Sequence, residues 1–210
     1  MSVSIDFRSF RKPRRKLKGG FPVGMVLFTG KQGGGKSLSQ SRYVHMLQKK
    51  WGAKVYSATD YKKADVKIDE SKIAESILTK REDRPSVFLL DEIQVLLAPG
   101  NLSAEGKVQV LKAIQQQRKR KTSIIGTLQV YLDIETIYRR QVAYVVRCSK
   151  FGPIQIERWM DGETLQFDPL TNKYAGRTDK IVIWKRHNEM FDLYDTFEVV
   201  GDRQKGSAPT

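Results

Sequence analysis

The sequence predicts an α/β fold built on a mainly parallel sheet flanked by helices. Three observations carry that expectation. Between residues 23 and 149, short apolar runs alternate with segments of helical periodicity, the order that parallel crossover units require. The run VFLL (87–90) is apolar throughout, as a strand covered on both faces is. Third, GKQGGGKS (30–37) places four glycines in eight residues, between the first apolar run and the first helical segment.

The elements follow in order. VGMVLFTG (23–30) reads as a buried strand with a glycine stop. SLSQSRYVHMLQKKW (37–51) carries Leu38, Tyr43, Val44, Met46, Leu47 and Trp51 at mostly helical spacing, and Gly52 closes it. AKVYSAT opens a second strand, a helix is expected over 68–80, and SVFLLDEI forms the third strand. A helix over 103–117 starts at Ser103, a good capping residue. TSIIGTLQ is the fourth strand, LDIETIYRR a short helix, and QVAYVVRCS the Val-rich fifth strand. Beyond residue 150 the character changes. IQIERW, ETLQFDP and KIVIWKR read as short strands between Asp-Gly and Pro turns. The expected organisation is a basic arm at 1–20, a core at 21–150, an accessory β segment at 151–200 packed on that core, and a disordered tail at 201–210. No internal repeat is visible.

A chain of 210 residues makes one domain with a sizeable core. Its charge is unusual: 38 Lys and Arg against 23 Asp and Glu, a net of +15. Such an excess implies a polyanionic partner, nucleic acid or an anionic membrane surface. RSFRKPRRKLK (8–18) concentrates seven positive charges with no acid, and Pro13 with Gly19 and Gly20 breaks any long helix. It reads as a flexible arm that contacts phosphates, or as a solubilising tail. A single cysteine, Cys148, excludes an intrachain disulfide, and with only two histidines the composition argues against a thiolate or histidine metal centre. Every apolar run falls far short of the ~20 residues that span a bilayer, and no apolar region follows the basic start as in a secretory signal.

Gly30-Lys31-Gln32-Gly33-Gly34-Gly35-Lys36-Ser37 fits G-x-x-x-x-G-K-[ST], in the strand-to-helix context that gives the pattern its mechanism. Glycines let successive N–H groups line one concavity, and the following helix adds its positive end. Residues Gly30 through Leu38, with Lys31 and Gln32 inside the loop, form the candidate binding segment for the phosphates of ATP. Lys36 would reach the β- and γ-phosphates and Ser37 would ligand Mg²⁺. The strand 87–90 runs into Asp91 and Glu92. Asp91 suits a second Mg²⁺ contact, and Glu92 suits the general base for the attacking water. Gln129, at the end of the fourth strand, sits where a polar group can sense the γ-phosphate or position the water; Thr127 competes with it for that role.

The order of these segments, with the basic helix end Gln117-Arg118-Lys119-Arg120 between Glu92 and Thr127-Leu128-Gln129, resembles the additional-strand, catalytic-glutamate (ASCE) division of P-loop NTPases, whose sheet is RecA-like. Within it the chain is similar to the FtsK/HerA branch, and there to the Zot-like ATPases of filamentous phages and the genome-packaging ATPases of tailless membrane-containing viruses. YDTFEV (194–199) resembles the closing segment of Zot-like domains, and the resemblance covers about residues 22–200.

That resemblance implies an ATPase that moves DNA without sequence preference, assembled as a homo-oligomeric ring, commonly a hexamer. It implies a capsid, portal or membrane-exit protein as partner, and a place in the host cytoplasm, in the virion or at the membrane periphery. It also implies an arginine supplied across the subunit interface, for which Arg118, Arg120, Arg139 and Arg140 compete. Zot-like proteins usually carry a membrane span after the ATPase domain, and this chain shows none, which favours packaging over extrusion at a membrane. A nucleotide-dependent switch that does not translocate is a further reading.

Overall fold

A computed structural model describes residues 7–8, 20–79, 84–168, 173–186 and 192–193. Its strands, in chain order, are β1 (Phe7–Arg8), β2 (Gly24–Thr29), β3 (Lys54–Ser57), β4 (Val66–Lys67), β5 (Ser86–Leu90), β6 (Thr122–Leu128), β7 (Val142–Phe151), β8 (Ile154–Asp161), β9 (Gln166–Asp168), β10 (Lys173–Ala175) and β11 (Thr178–Lys185). The helices are α1 (Lys36–Trp51), α2 (Ile73–Thr79), α3 (Gln94–Leu97), α4 (Ala104–Gln116) and α5 (Thr136–Arg139).

Strands β7, β2, β6, β5, β3 and β4 lie side by side in that order, all parallel. β8 continues the sheet beyond β7 in the antiparallel sense, followed by β11 and β1. Where the sequence suggests an accessory element packed on the core, β8 and β11 are themselves hydrogen-bonded into the central sheet. The small separate element is the antiparallel pair β9–β10. The basic arm contributes β1 at the sheet edge, where Phe7 pairs with Ile181 and Arg8 with Lys180. Residues 9–19, the expected tail 201–210 and the 194–199 segment lie outside the described residues.

Alternation along each strand divides the core in two. Met25 and Leu27 of β2, Phe88 and Leu90 of β5, and Ile124 and Leu128 of β6 pack under α2, α3 and α4. Val26 and Phe28, Val87 and Leu89, and Ile125 pack under α1 with Tyr43, Val44 and Leu47. Both faces are covered, which explains the continuous apolar strands. Each fully buried Leu, Ile or Phe stabilises the fold by about 1.5–3 kcal/mol.

Local signals set the helix ends. Gly52 adopts a left-handed φ of 59°, and its N–H reaches the Gln48 carbonyl at 2.9 Å, closing α1. Ser103 Oγ accepts from Gly106 N–H at 3.1 Å and starts α4. The helix expected over 68–80 is shorter. Its first part is a 3-10 turn, Glu70–Lys72, after the brief strand β4, whose parallel pairing with β3 takes Val66 and Lys67. The pairing also reaches into the expected helix, where Ile68 N–H donates to Ser57 O of β3 at 2.9 Å and so holds its first residue extended.

One buried carboxylate ties α1 to the antiparallel edge. Glu157 of β8 is fully buried and accepts from Trp184 Nε1 at 2.7 Å and from Trp159 Nε1 at 3.3 Å. The Arg42 guanidinium of α1 lies 3.6 Å from the same carboxylate and 4.8 Å from the Trp184 ring centre. Replacing Glu157 with Leu strands a partly buried cation and two buried indole N–H groups. The expected loss is about 2–4 kcal/mol in urea unfolding, with a smaller loss for Glu157→Gln, which keeps an acceptor.

Candidate functional site

The phosphate loop leaves β2 at Gly30 and enters α1 at Lys36. Two of its glycines are dictated by space as well as by backbone conformation. A Cβ on Gly30 would sit 2.5 Å from the Cys148 carbonyl oxygen, and one on Gly35 would sit 2.4 Å from Gln155 Oε1. Gly35 also holds a φ of 82°. Gly34 N–H donates to Lys31 O at 2.9 Å, which curls the loop. α1 has no side-chain cap and no acidic residue in its first turn, so its free N–H groups and positive end suit an anion.

Lys36 crosses the loop: its Nζ donates to Gly30 O at 3.1 Å and contacts Lys31 O at 3.5 Å. Ser37 is half-buried beside it, while Lys31, Gln32 and Gly33 are exposed at the loop's crest. Leu38 buries its side chain in the core, leaving only backbone for the site.

The register of β6 assembles the other half. β6 lies between β2 and β5, with Thr29 opposite Leu128 and Leu90 opposite Gly126. Asp91 and Glu92, just past β5, therefore meet the end of β6. Thr127 Oγ1 donates to Asp91 Oδ1 and accepts from Glu92 N–H at 3.0 Å. Gln129 Nε2 donates to Glu92 Oε1 at 2.9 Å. Thr127 and Gln129 thus take separate tasks: one grips the Asp91–Glu92 turn and the other orients the Glu92 carboxylate. Glu92 has a φ of 45°, a left-handed conformation uncommon for a residue with a long side chain. Two bonds on its N–H and one on its carboxylate hold it there.

Sequence reasoning missed two glutamines. Gln40 of α1 is buried and donates to Leu90 O at 2.6 Å and Ile125 O at 3.2 Å, fastening the phosphate-loop helix to the strand ends beneath Asp91. Gln155 of β8 is buried against the loop and donates to Gly34 O at 2.9 Å. The one trace of Gln40 in the sequence was the polar run Ser39-Gln40-Ser41, whose burial only the fold reveals. For Gln155 it was a polar residue sharing one strand face with Glu157 and Trp159.

The arginines differ in availability. Arg139 donates to Tyr174 Oη at 2.6 Å and to Thr136 Oγ1 at 2.7 Å, so it is engaged within the chain. Arg120 Nε donates to Gln116 Oε1 at 3.0 Å. Arg118 and Arg140 are exposed. Among the described residues no group of three or more His, Cys, Asp or Glu is placed to hold a metal ion. A hydroxyl and a carboxylate, Ser37 and Asp91, are hard oxygen donors, and they fit Mg²⁺, which takes few protein ligands and completes its shell with phosphate and water.

No protein-family model and no curated protein sequence matches the chain. Solved structures do. The N-terminal domain of zonular occludens toxin from Neisseria meningitidis aligns with a TM-score of 0.55 and 16% identity, over 82% of this chain and 99% of that one. The genome packaging NTPase B204 from Sulfolobus turreted icosahedral virus 2, in complex with AMPPCP, aligns with a TM-score of 0.51 and 13% identity, over 79% of this chain and 98% of that one. The fold is that of the P-loop NTPases, and these neighbours are of the two kinds the sequence resembles.

Directly behind the loop, burial and the nearby Glu157 carboxylate push the Cys148 thiol up to about 12. At pH 8 it stays protonated, whereas an unfolded cysteine near 8.5 is partly thiolate. Alkylation of the native chain is expected to run slower than in denaturant by roughly 10³-fold, measured by the rate of mass shift.

Proposed function

We propose that the chain is an ATP-hydrolysing subunit of a motor that moves genomic DNA, a packaging ATPase of a virus or phage. The observation that carries the hydrolytic part is the meeting of Asp91, Glu92, Thr127 and Gln129 at one strand edge, beside a glycine-rich loop and an uncapped helix.

Each residue then has a task. Loop N–H groups and the α1 terminus bind the phosphates, and Lys36 neutralises charge on the β- and γ-groups. Ser37 and Asp91 would hold Mg²⁺, which supplies further charge stabilisation when bound. Glu92 takes the proton of a water whose oxygen attacks the γ-phosphorus. The bond from that phosphorus to the β–γ bridging oxygen breaks, and ADP and phosphate leave. Gln129 keeps the Glu92 carboxylate aimed, and Thr127 keeps the strained turn in place.

The net charge of +15, the exposed Arg118, Lys119 and Arg140, and the basic arm support DNA as the partner through its backbone. A ring of identical subunits would bring a neighbour's arginine to the phosphates, and exposed Arg118 and Arg140 are better placed for that than Arg139, which is tied to Tyr174 and Thr136. The host cytoplasm is the place where such a motor meets its DNA. The likeness to the zonular occludens toxin domain favours a second reading, a morphogenesis ATPase at a membrane exit site. Among the described residues no helix is long and apolar enough to cross a membrane, so in that reading a partner or another segment supplies the anchor.

Two variants test the hydrolytic reading. Lys36→Ala is expected to abolish ATP turnover with the fold intact by circular dichroism. Glu92→Gln should bind ATP while kcat falls roughly 10²-fold or more, because the amide keeps the shape and loses the basicity. Loss of binding with turnover retained would exchange the roles of Asp91 and Glu92.

The basic arm separates the two readings. Since Phe7–Arg8 is a strand, neutralising Arg11, Lys12, Arg14, Arg15, Lys16 and Lys18 to Gln is cleaner than deletion. The packaging reading expects unchanged basal ATPase and a flatter plot of log DNA affinity against log salt, by about 0.9 per lost contact. Loss of binding to anionic vesicles at constant DNA affinity favours the membrane reading instead.

A further inference from the structure

β7 outruns its neighbour. Its last pairing with β2 joins Thr29 to Arg147, and the strand then continues through Cys148, Ser149, Lys150 and Phe151 alongside the phosphate loop. β8 folds back against this overhang, with Gln155 opposite Lys150. The hairpin thus forms a wall on the flank of the loop. From that wall one polar side chain enters the loop's backbone.

Gln155 is fully buried. Its Nε2 donates to Gly34 O at 2.9 Å, and its amide lies flat against Gly35, close enough that any Cβ there would overlap all three amide heavy atoms. Among the described residues its Oε1 is buried with no hydrogen-bond partner. A buried, unpaired acceptor is unfavourable, and an apolar side chain would avoid it. The amide is therefore poorly explained by packing alone. The bond it makes has a directional consequence. In a trans peptide the C=O and the next N–H point opposite ways. Holding the Gly34 carbonyl toward β8 turns the Gly35 N–H away from β8, toward the loop's concavity.

We infer that Gln155 is a positioning residue for nucleotide phosphate: by fixing the Gly34–Gly35 peptide, it presents the Gly35 N–H, at the mouth of α1, to a di- or triphosphate. The inference rests on the ATPase reading above and adds a residue outside the loop motif. It acts on binding, since ADP and ATP alike carry the β-phosphate that the loop surrounds. Gln155 touches no reacting atom, so the chemical step is left alone. The same contact joins the loop to β8, and through Glu157 and Trp184 to β11, so the antiparallel edge is mechanically continuous with the nucleotide site.

The test uses the full chain, with mant-ATP and mant-ADP titrations and steady-state ATPase assays. Gln155→Met, similar in length and without a donor, is expected to raise Kd for both nucleotides about tenfold, the effect of one lost hydrogen bond, and to leave kcat within twofold. Gln155→Glu should bind weakly at pH 8, where a carboxylate faces the Gly34 oxygen. It should recover at pH 6, because burial favours the protonated carboxyl, whose O–H can donate to that oxygen. The recovery is read against the wild-type affinity ratio between the two pH values. Wild-type Kd in Gln155→Met, a loss confined to kcat, or a Gln155→Glu pH profile that follows wild type would each overturn the inference. Should Gln155→Met fail to fold, the pH recovery of Gln155→Glu decides. Lys36→Ala runs in the same series. If the wild-type chain binds neither nucleotide, or Lys36→Ala turns ATP over as fast as wild type, the ATPase reading fails and this inference with it. If Lys36→Ala loses binding while the Gln155 variants keep it, the Gln155 inference alone fails.

Discussion

The insertion of β6 between β2 and β5 is the constraint on which the site depends. The strand that feeds the phosphate loop and the strand that ends in Asp91 are not neighbours; each hydrogen-bonds a different edge of β6. Parallel pairing sets the heights of all three strand ends at once. Because side chains alternate faces, a slip of one residue in β6 would turn Thr127 away from Asp91 and Glu92 and put Leu128 or Gly126 in its place. The buried row Ile124, Ile125 and Leu128 prevents that slip, since the same shift would exchange the two core faces. Core packing and site geometry are thus the same restraint.

Around that frame the phosphate loop is held from three sides by groups that are not part of it. Gln40 fastens α1 to the carbonyls of Leu90 and Ile125 from below. The Cys148 carbonyl crowds Gly30 and Gly34 along the flank, and Gln155 takes the Gly34 carbonyl. Each contact is made by a backbone oxygen or a neutral amide. The loop is thereby shaped without placing negative charge where an anion is proposed to bind. Glycines at Gly30 and Gly35 are the complement of this crowding, as a side chain at either position would displace a β7 or β8 group.

The antiparallel edge has its own polar anchor. Glu157 gathers two indole N–H groups and the Arg42 guanidinium, so a carboxylate in the core is surrounded by donors from α1, β8 and β11. Such an arrangement contributes specificity of packing as much as stability: alternatives that shift β8 leave a charge or two donors unpaired. It also means that α1, the helix on which the phosphate loop is mounted, cannot move freely from the edge strands.

Much of this was legible in the sequence, for local reasons. Glycine spacing, a strand-to-helix junction and an apolar run ending in Asp91-Glu92 are contiguous patterns, and their chemistry is written in adjacent residues. The parallel core strands and their two-sided burial follow from continuous apolar runs, and α4 from Ser103 and its periodicity. What tertiary structure alone decided are pairings between distant segments. That Thr127 grips the Asp91–Glu92 turn while Gln129 aims Glu92 depends on strand order, which no local pattern encodes. That β8 and β11 extend the central sheet depends on the edge of β7 opposite β2, which residues Tyr144 through Phe151 present to β8. Gln40 and Gln155 look like ordinary polar residues in the chain. They become site residues because folding buries each amide against a carbonyl of a distant segment, and the partner of a buried carbonyl is set by where the chain returns in space.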